Sequence, residues 1–424
     1  GDREQIRALQ KERREAGHRA GLSGLYGGLS VAFSRTEKIG LFGGTFNPVH
    51  IGHTEAARLA VDKLGLDRLI FIPTLNPPHK ALPEDSASAE MRLEMLKIAT
   101  KGMPNTEVSD IEISRGGISY TVDTIKELQK LYPGAEFWLL IGNDMLCTLE
   151  TWKSIDWLVK NVSICALSRH SDKSELELCA KNLEEKYGVR IVFARNDAID
   201  ISSSELREML GQRRGREYLD DEVYAFIVRN RLYGVKPDFD WLREKAIAML
   251  SEKRIPHVLG CEQEAVKLAR RWGADEEDAR SAAILHDITK KLTLNEQLIL
   301  CKKYDIMTDT AERSNVKLLH SKTGAAIARD IFGMPEQVCD AILWHTTGRP
   351  GMSLLEKIIY IADYIEPGRD FPGVDVLRQL AYSDLDRAML LGLEMTIEAV
   401  KEEGQIPHPN TLLAIEYLKR SNKA

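Results

Sequence analysis

Two groups of residues in this sequence have types and spacings that suit chemistry on phosphates. The first occupies positions 43–53, where Gly43 and Gly44 are followed by His50 and His53. Glycines let a backbone approach a ligand with no Cβ in the way, and the start of a following helix offers N–H groups and a positive dipole end to phosphate. Two histidines three residues apart at the start of a helix project to the same side. The string therefore predicts a phosphate-binding turn in which both histidines contact phosphate oxygens as electrostatic donors.

The second group is a set of histidines and aspartates in the C-terminal half. Five histidines follow position 239, and Asp287 directly follows one of them, His286. Imidazole and carboxylate ligands from separate helices of a bundle can converge on one ion. The sequence predicts a metal site held by His257, His286, Asp287 and Asp363. Such mixed ligands suit iron, manganese or similar ions better than a thiolate zinc site.

The elements that must position these groups differ between the two halves. Short apolar runs alternate with helical stretches from position 38 to about 233, and the strands are predicted at 39–42, 69–73, 137–142 and 162–166. Strand and helix in alternation predict an α/β Rossmann-like, doubly wound parallel sheet. Beyond a turn-rich joint at 233–238, helical spacing repeats to the end and predicts an all-α bundle. We expect domains at 38–234 and 239–424, after a poorly ordered extension at 1–37.

Composition limits the function classes. The chain has 424 residues, a net charge of -6, 43% hydrophobic and 29% charged residues, which is typical of a two-domain globular protein without a general nucleic-acid surface. No run approaches the ~18 apolar residues of a membrane helix, and no signal-peptide pattern opens the chain. Six scattered cysteines with no CxxC pair predict reduced thiols and a cytoplasmic location.

The first group resembles a known superfamily. The string at 43–53 resembles the T/HxGH motif of the nucleotidyltransferases, and 201–207 is similar to their second nucleotide-binding motif. The absence of a KMSKS-like loop argues against an aminoacyl-tRNA synthetase. Four further segments, 77–80, 119–124, 141–144 and 151–153, resemble bacterial nicotinate mononucleotide adenylyltransferases over about residues 38–234. This resemblance implies transfer of AMP from ATP to nicotinate mononucleotide, giving nicotinate adenine dinucleotide and pyrophosphate.

The resemblance also implies roles for individual residues. Catalysis would consist of alignment and charge neutralisation by Mg²⁺ and four side chains, His50, His53, Lys80 and Arg207. Trp152 would stack on the pyridine ring, the Tyr120–Thr121 backbone would receive its carboxylate, and Asp144 would hold ribose or the adjacent phosphate region. The predicted nucleotide-binding residues are Gly43, Gly44, Thr45, Phe46, Asn47, Tyr120, Thr121, Gly142, Asp144, Trp152, Ser203 and Ser204. Two alternatives stay open: Trp152 as a core residue, and a sibling enzyme that uses nicotinamide mononucleotide or phosphopantetheine.

The second group resembles the HD phosphohydrolase superfamily. The segments 320–324, 345–352, 361–369 and 406–411 are similar to the YqeK family of symmetrical diadenosine tetraphosphatases, a match that spans about 241–420. It implies hydrolysis of diadenosine tetraphosphate to two ADP, with iron as the ion and Asp287 central to catalysis. The residues implied in nucleotide contact are Lys290, His320, His345, Thr346, Arg369, His408 and Thr411.

The sequence leaves several alternatives open for this half. His320 and His345 could instead hold a second ion, and Lys290 and Arg369 could be solvated surface residues. The half could be another HD enzyme, such as a nucleotidase, or a non-catalytic nucleotide sensor. The expected partners are small nucleotides, with no nucleic acid and no membrane, and a homo-oligomer is left open.

Overall fold

The computed structural model describes residues 35–421, except 79–80, 169–172, 196–198, 200 and 310–311. These residues form two compact units. The first runs up to Tyr224 and includes Leu232–Val235, whereas the second contains Ala225–Arg231 and the chain from Lys236 onward. Most of the predicted extension at 1–37 lies outside the described residues. No helix within the described ranges has the length and apolar character needed to cross a membrane.

The first unit contains a six-stranded sheet in which every neighbouring pair is parallel. Its strands are β1 (Lys38–Gly44), β2 (Arg68–Pro73), β3 (Thr106–Val108), β4 (Glu136–Gly142), β5 (Ser163–Ser168) and β6 (Ile191–Arg195). The strand order is β3-β2-β1-β4-β5-β6, so Phe42 of β1 lies beside Phe71 on one side and Leu140 on the other. This arrangement confirms the predicted doubly wound α/β fold. The direction of winding reverses between β1 and β4, where ligands of such sheets bind outside the carboxyl ends of the strands.

The strands form where apolar residues run without interruption, because helices cover both faces of a parallel sheet. Leu41, Ile70, Leu139 and Ile164 are each at most 4% exposed. Two strands were not predicted. β3 is only three residues long and half-buried, so it carries almost no apolar signal. β6 does contain an apolar run at 191–194, which was not recognised as a strand.

Eight helices accompany the described strands of the first unit. They are α1 (Ile51–Leu64), α2 (Ala89–Thr100), α3 (Ile111–Arg115), α4 (Thr121–Leu131), α5 (Asn143–Cys147), α6 (Ile155–Asn161), α7 (Lys173–Tyr187) and α8 (Ser203–Gly211). α1 begins at its N-cap residue His50 and ends at Gly65, whose left-handed conformation is a common helix terminator. α8 is preceded by Ser202, whose hydroxyl accepts a hydrogen bond from the Glu205 backbone N–H.

Helices alone make up the regular structure of the described second unit beyond Lys236, as predicted. After α9 (Asp221–Arg229), they are α10 (Phe239–Met249), α11 (Ile255–Trp272), α12 (Glu276–Leu285), α13 (Leu294–Lys303), α14 (Val316–Asp330), α15 (Glu336–Trp344), α16 (Leu354–Ile365), α17 (Val374–Ser383), α18 (Leu385–Glu402) and α19 (Pro409–Ser421). Cys261, Ala265 and Leu268 form a buried stripe along α11. In α16, Leu355, Ile358 and Ile359 are buried, whereas Leu354, the first residue of the helix, is 38% exposed.

The prediction of six reduced cysteines is wrong for one pair. Cys147 of α5 and Cys179 of α7 form a disulfide, with Cα atoms 5.4 Å apart and 32 positions between them in sequence. The remaining four, Cys165, Cys261, Cys301 and Cys339, are free and buried. The pairing depends on the proximity of two helices, which cysteine spacing does not reveal.

Candidate functional sites

The first site is built around the turn that follows β1, at residues 43–53. Gly43 and Gly44 are the last residues of that strand, and Phe46 packs in the core with a left-handed φ of 47°. Gly52 has a steric role, since a Cβ there would lie 2.9 Å from Nδ1 of His50. Only glycine therefore lets the His50 ring lie over the first turn of α1.

The two predicted histidines lie together at the start of α1. Their ring centroids are 3.8 Å apart, and the backbone N–H of His50 donates to Nδ1 of His53 at 3.2 Å. Since Nδ1 of a neutral His53 accepts that bond, its ring proton is on Nε2. The arrangement therefore gives His53 one N–H donor on the side of the ring away from its own helix turn.

Asn47 holds the turn to its surroundings through its side chain. Its Nδ2 donates to the Ser86 hydroxyl at 2.8 Å, and its Oδ1 accepts from the Tyr233 hydroxyl at 2.8 Å and from the Ala87 backbone N–H at 3.3 Å. Asn47 was predicted to bind nucleotide. The structure shows its amide anchoring the turn, and the nucleotide contact stays a prediction.

The second predicted motif joins the same turn. Arg207 of α8 donates from one terminal nitrogen to the Asn47 carbonyl oxygen at 2.8 Å and from the other to the Ser204 hydroxyl at 3.3 Å. The Ser203 hydroxyl donates to the Pro48 carbonyl oxygen at 3.0 Å. The helix starts of α1 and α8 are thus fixed side by side, which brings together residues predicted from two distant motifs.

Arg92 of α2 also supports this site, although the sequence did not point to it. The residue is 1% exposed, and one terminal nitrogen donates to the carbonyl oxygens of Thr45 at 2.7 Å and Thr74 at 2.8 Å. Its Nε donates to the Ala87 carbonyl oxygen at 3.3 Å. The guanidinium therefore ties the turn after β1 to the loop after β2. A buried arginine within a helix was the only available signal, and burial cannot be read from the helical pattern alone.

The segment predicted to recognise the pyridine begins at Tyr120, the N-cap of α4. No described side chain caps this helix, and the Tyr120 N–H donates to the Ile118 carbonyl oxygen at 3.1 Å, so the N–H groups that the helix start can offer to an anion begin at Thr121. Nζ of Lys153 lies 4.0 Å from the centre of the Tyr120 ring and 3.2 Å from the Asp123 carboxylate. The neighbouring Trp152 is half-buried and packs against the core of the sheet. Its predicted stacking and core roles are therefore both compatible with the structure.

The remaining predicted residues of the first site are divided. Gly142 and Asp144 lie exposed at the carboxyl end of β4, beside the turn of β1 in the strand order. Lys80 lies outside the described residues.

The second site lies among the helices of the second unit, and two of its histidines are placed in the same way. His286 and His345 each follow directly after a helix, α12 and α15. Nδ1 of His286 lies 2.7 Å from the Ala283 carbonyl oxygen, and Nδ1 of His345 lies 2.6 Å from the Ile342 carbonyl oxygen. Each ring therefore donates its Nδ1 proton to its own helix and presents Nε2 as a lone pair. α12 ends at Leu285, so His286 and Asp287 lie in the turn that directly follows the helix.

His257 and Asp363 meet on the other side of the same cluster. Nε2 of His257 lies 3.1 Å from Oδ1 of Asp363, and its Nδ1 lies 3.1 Å from Oε1 of Glu366. Glu366 in turn accepts the Gly368 backbone N–H at 2.6 Å. A carboxylate on the far nitrogen of a histidine fixes the orientation of its ring.

Asp287 lies at the centre of the cluster and is fully buried. Its Oδ2 accepts from Nε of Arg254 at 2.7 Å. Its Oδ1 lies 3.1 Å from Nε2 of His320, 3.3 Å from Nζ of Lys290 and 3.7 Å from Nε2 of His345. The carboxylate thus lies between two pairs of histidines, with Oδ2 facing His257 and His286 and Oδ1 facing His320 and His345.

The residues present fit a divalent ion, which an HD domain implies. Ligand atoms of His257, Cys261, His286 and Asp363 all lie within 4.8 Å of one another, as do those of His286, Asp287 and His345. Nε2 of His286 is buried, lies 3.4 Å from Oδ2 of Asp287, and makes no hydrogen bond of good geometry to a described residue. A buried imidazole lone pair beside two carboxylates is the environment of a metal ligand. The four predicted ligands are therefore brought together.

The carboxylates of the cluster are held in their ionised form. Burial alone would raise the pKa values of Asp287 and Asp363, but the neighbouring histidines hold both well below the usual range. Burial lowers the pKa of His286, but Asp287, Asp363 and the Ala283 carbonyl oxygen together outweigh burial, so the net pKa is raised. The same negative charge around the His286 ring would be offset by a bound cation. Burial raises the pKa of Cys261 well above its usual value.

The other two histidines of the cluster are held neutral. Burial lowers the pKa of His320 to about 3 and also lowers that of His345. Their Nε2 atoms lie 3.2 Å apart, and Nζ of Lys290 lies 3.2 Å from Nε2 of His320. Lys290 therefore reaches the cluster, and its amino group is not a solvated surface charge.

The predicted nucleotide-contacting residues lie at several positions around the second site. Arg369 donates to Oδ1 of Asp363 at 2.5 Å, and the Thr346 hydroxyl donates to Ser321 at 3.2 Å. The Thr411 hydroxyl donates to the Thr347 carbonyl oxygen at 2.8 Å, which ties the start of α19 to the segment after α15.

His408 belongs to a separate group with Asp309 and Glu312. Its Nδ1 accepts the Asn410 backbone N–H at 3.2 Å, so the proton of a neutral ring is on Nε2, 3.4 Å from Asp309. That tautomer makes His408 a donor to carboxylates and a poor metal ligand.

Three residues of the second site were missed by sequence reasoning: Arg254, Cys261 and Glu366. Arg254 and Cys261 are three and four positions from His257, and Glu366 is three positions from Asp363. Nothing in their residue types separates them from ordinary helix residues. Proximity in sequence to His257 and Asp363 was the available signal.

Comparisons with known proteins match the two halves of the chain to two different families. The family model described as Cytidylyltransferase-like matches residues 41–209, and the HD domain model matches residues 254–368. A Mycoplasma genitalium protein named "Probable nicotinate-nucleotide adenylyltransferase/Ap4A hydrolase" is 31% identical over 376 residues, covering 86% of this chain and 99% of that protein.

Two shorter relatives match one half each. A "Probable nicotinate-nucleotide adenylyltransferase" of Carboxydothermus hydrogenoformans is 40% identical over 198 residues, covering 46% of this chain and 98% of its own. A "Bis(5'-nucleosyl)-tetraphosphatase, symmetrical" of Bacillus subtilis is 39% identical over 181 residues, covering 42% of this chain and 97% of its own. The likeness to the Mycoplasma protein extends over nearly its whole length, so this chain belongs to the family of proteins that join a nicotinate-nucleotide adenylyltransferase region and an Ap4A hydrolase region.

Proposed function

We propose that this protein is a bifunctional enzyme. Residues 38–234 transfer AMP from ATP to nicotinate mononucleotide, and residues 239–424 hydrolyse diadenosine tetraphosphate to two ADP. The observation that carries the proposal is that residues from distant motifs meet within each unit: the glycine turn meets α8, and His257, His286 and Asp363 lie near Asp287. Because ATP is a substrate, we place the protein in the cytoplasm.

The first reaction needs alignment of two anions more than covalent chemistry. An anionic phosphate must attack the α-phosphate of ATP, so positive groups have to offset charge as the two approach. The starts of α1 and α8 would supply backbone N–H groups, and His53 would supply its Nε2 proton. Arg207 would supply those N–H groups that do not already bond to Asn47 and Ser204. Lys80 and Mg²⁺ would add further positive charge.

The acid group of the pyridine would bind at the start of α4. Backbone N–H groups and the positive dipole end of this helix favour a carboxylate over a neutral amide. Trp152 would cover the ring, and Lys153 would add a positive charge nearby. This site therefore supports preference for the nicotinate substrate over its nicotinamide counterpart.

The second reaction would use the metal cluster. His257, His286, Asp287 and Asp363 would hold iron or manganese, and a bound ion supplies Lewis acidity toward the phosphate chain. Three basic residues bond to the carboxylates of the cluster: Lys290 and Arg254 to Asp287, and Arg369 to Asp363. Their positive charge would also attract phosphate oxygens. A second ion between Asp287, His320 and His345 would use the neutral states of those imidazoles.

The first activity is tested with the whole protein, ATP and Mg²⁺. We expect dinucleotide and pyrophosphate from nicotinate mononucleotide, with a kcat/KM well above that for nicotinamide mononucleotide. Equal use of the acid and amide would contradict the carboxylate-binding assignment. Product only with phosphopantetheine would move the chain to a sibling activity.

The second activity is tested with the same preparation after metal exchange. We expect diadenosine tetraphosphate to give ADP alone with iron or manganese. ATP plus AMP as products would contradict the symmetrical assignment, and turnover of only other nucleotides would indicate another HD specificity. Tight nucleotide binding without turnover under every metal would favour a sensor.

A further inference from the structure

Glu112 of α3 is a buried acid that none of the steps above uses. The residue is 6% exposed, and its Oε1 accepts the Thr124 hydroxyl at 2.8 Å. Its Oε2 is buried and has no hydrogen bond of ordinary length to a described residue, although the Ser119 and Thr74 hydroxyls are close enough to lower the pKa of the carboxyl. Desolvating a carboxyl costs free energy, so apolar packing alone does not account for an acid at this position.

The hydrogen bond from Thr124 connects Glu112 to the start of α4. Thr124 lies in the first turn of that helix, and its backbone N–H donates to the Tyr120 carbonyl oxygen at 3.3 Å. The Thr124 hydroxyl also accepts from Arg115 at 3.0 Å, and Arg115 pairs with Glu127 at 3.3 Å. Two helices are therefore joined side to side at the turn that begins with Tyr120.

The chain just before α4 needs such support. Gly116 and Gly117 both have a φ of 73°. Glycine adopts positive and negative φ about equally, so these residues do not by themselves fix the direction of the chain. The segment is attached on its other side to the loop after β2, since the Ser119 N–H donates to the Asn76 carbonyl oxygen at 3.0 Å and the Leu75 N–H donates to the Ser119 hydroxyl at 3.2 Å. The hydrogen bond between Thr124 and Glu112 attaches the same segment to α3.

We propose that Glu112 is a positioning residue for the acid group of the pyridine nucleotide. By fixing the first turn of α4 through Thr124, it would hold the Thr121 backbone N–H group at the start of the helix in the orientation that a carboxylate requires. The proposal rests on the adenylyltransferase function proposed above. It predicts a defect confined to one substrate, because the ATP-binding turn is held by other residues, Asn47 and Arg92.

The test uses the full-length protein carrying Glu112→Ala. We expect the KM for nicotinate mononucleotide to rise by roughly ten-fold or more, since small misplacements of binding groups have large effects. The KM for ATP should change by less than about two-fold, and so should kcat/KM for nicotinamide mononucleotide, which has no carboxylate to bind. The ratio of acid to amide turnover would therefore fall.

Four further variants separate positioning from general stability. Glu127→Ala removes the other carboxylate that pairs with Arg115 and should leave the acid-to-amide ratio unchanged. Glu112→Gln keeps the acceptor and should retain most of the ratio. Thr124→Val should reproduce the defect and Thr124→Ser should not, which keeps the test valid if Glu112→Ala fails to fold. Glu112→Ala combined with Thr124→Val should add no further loss, because both remove the same hydrogen bond.

The outcomes distinguish the two proposals. If the unchanged protein shows no preference for the acid, the adenylyltransferase assignment is at fault. If it prefers the acid but Glu112→Ala shifts the KM values of ATP and the pyridine nucleotide equally, the inference about Glu112 is overturned. The same conclusion follows if Glu127→Ala has an equal effect, or if Thr124→Val leaves the ratio unchanged.

Discussion

The two sites position their chemistry in different ways. In the first, the groups that face a ligand are largely backbone N–H groups at helix starts, and side chains such as Asn47 and Arg92 hold the loops in place. In the second, the ligands are side chains themselves, and helix carbonyls and Glu366 set the direction of each imidazole. The supporting bonds of the first site therefore hold loops, whereas those of the second orient ligands. The comparison therefore predicts different kinds of supporting mutations for each activity.

The largest expected effect is on the hydrolase. Asp287→Ala removes the carboxylate at the centre of the cluster, so hydrolysis should fall by more than the roughly 100-fold that loss of a supporting residue costs. Adenylyl transfer should not change. Parallel assays of both activities and of bound metal check this, with the exposed Asp240→Ala as the matched control. Loss of both activities would contradict the separation of the sites.

A supporting residue of the second site should act on the ion first. Glu366→Ala removes the acceptor on Nδ1 of His257, so metal affinity should fall by about 10–100-fold. Titration with manganese measures this directly, and activity should return at saturating metal. A loss of turnover that excess metal does not restore would show that Glu366 has another role.

A supporting residue of the first site should act on nucleotide binding and not on metal affinity. Arg92→Met leaves the Thr45 and Thr74 carbonyl oxygens without a donor, each at a cost of about 1–3 kcal/mol. We expect adenylyl transfer to fall by about ten-fold or more and hydrolysis to stay constant. Arg58→Met, at an exposed arginine of α1, is the control. Equal loss from both variants would remove the special role of Arg92.

The smallest effect concerns stability and pH. Burial raises the pKa of Glu112, although the Thr124 hydroxyl and Arg115 favour the ionised form. The folded state therefore holds this proton to higher pH than the unfolded chain, and stability falls as pH rises from the usual glutamate range through the raised pKa. Glu112→Gln lacks this dependence. Its melting temperature relative to the unchanged protein should be higher at pH 7 than at pH 4.5, and a constant difference would contradict the shift.

Residue types in local strings carried most of what the sequence could predict. The turn at 43–53 and the His286–Asp287 pair stand out because their chemistry is compressed into a few positions, and the strands of the central sheet stand out because they are continuously apolar. The sequence could not indicate Arg92, Glu112 or the Cys147–Cys179 disulfide, since each acts through a partner brought near only by folding. The same reason explains why Arg254 and Glu366 were missed beside the predicted ligands.

The hydrogen bond between Tyr233 and Asn47 has a practical consequence for dividing this enzyme. Tyr233 follows the last long helix of the first unit by sequence, yet its hydroxyl is one of the groups that fix the nucleotide turn almost two hundred positions earlier. A fragment that stops before position 232 would keep every motif of the transferase and still lose one anchor of its turn. Studies of the isolated transferase should therefore use fragments that extend through Val235.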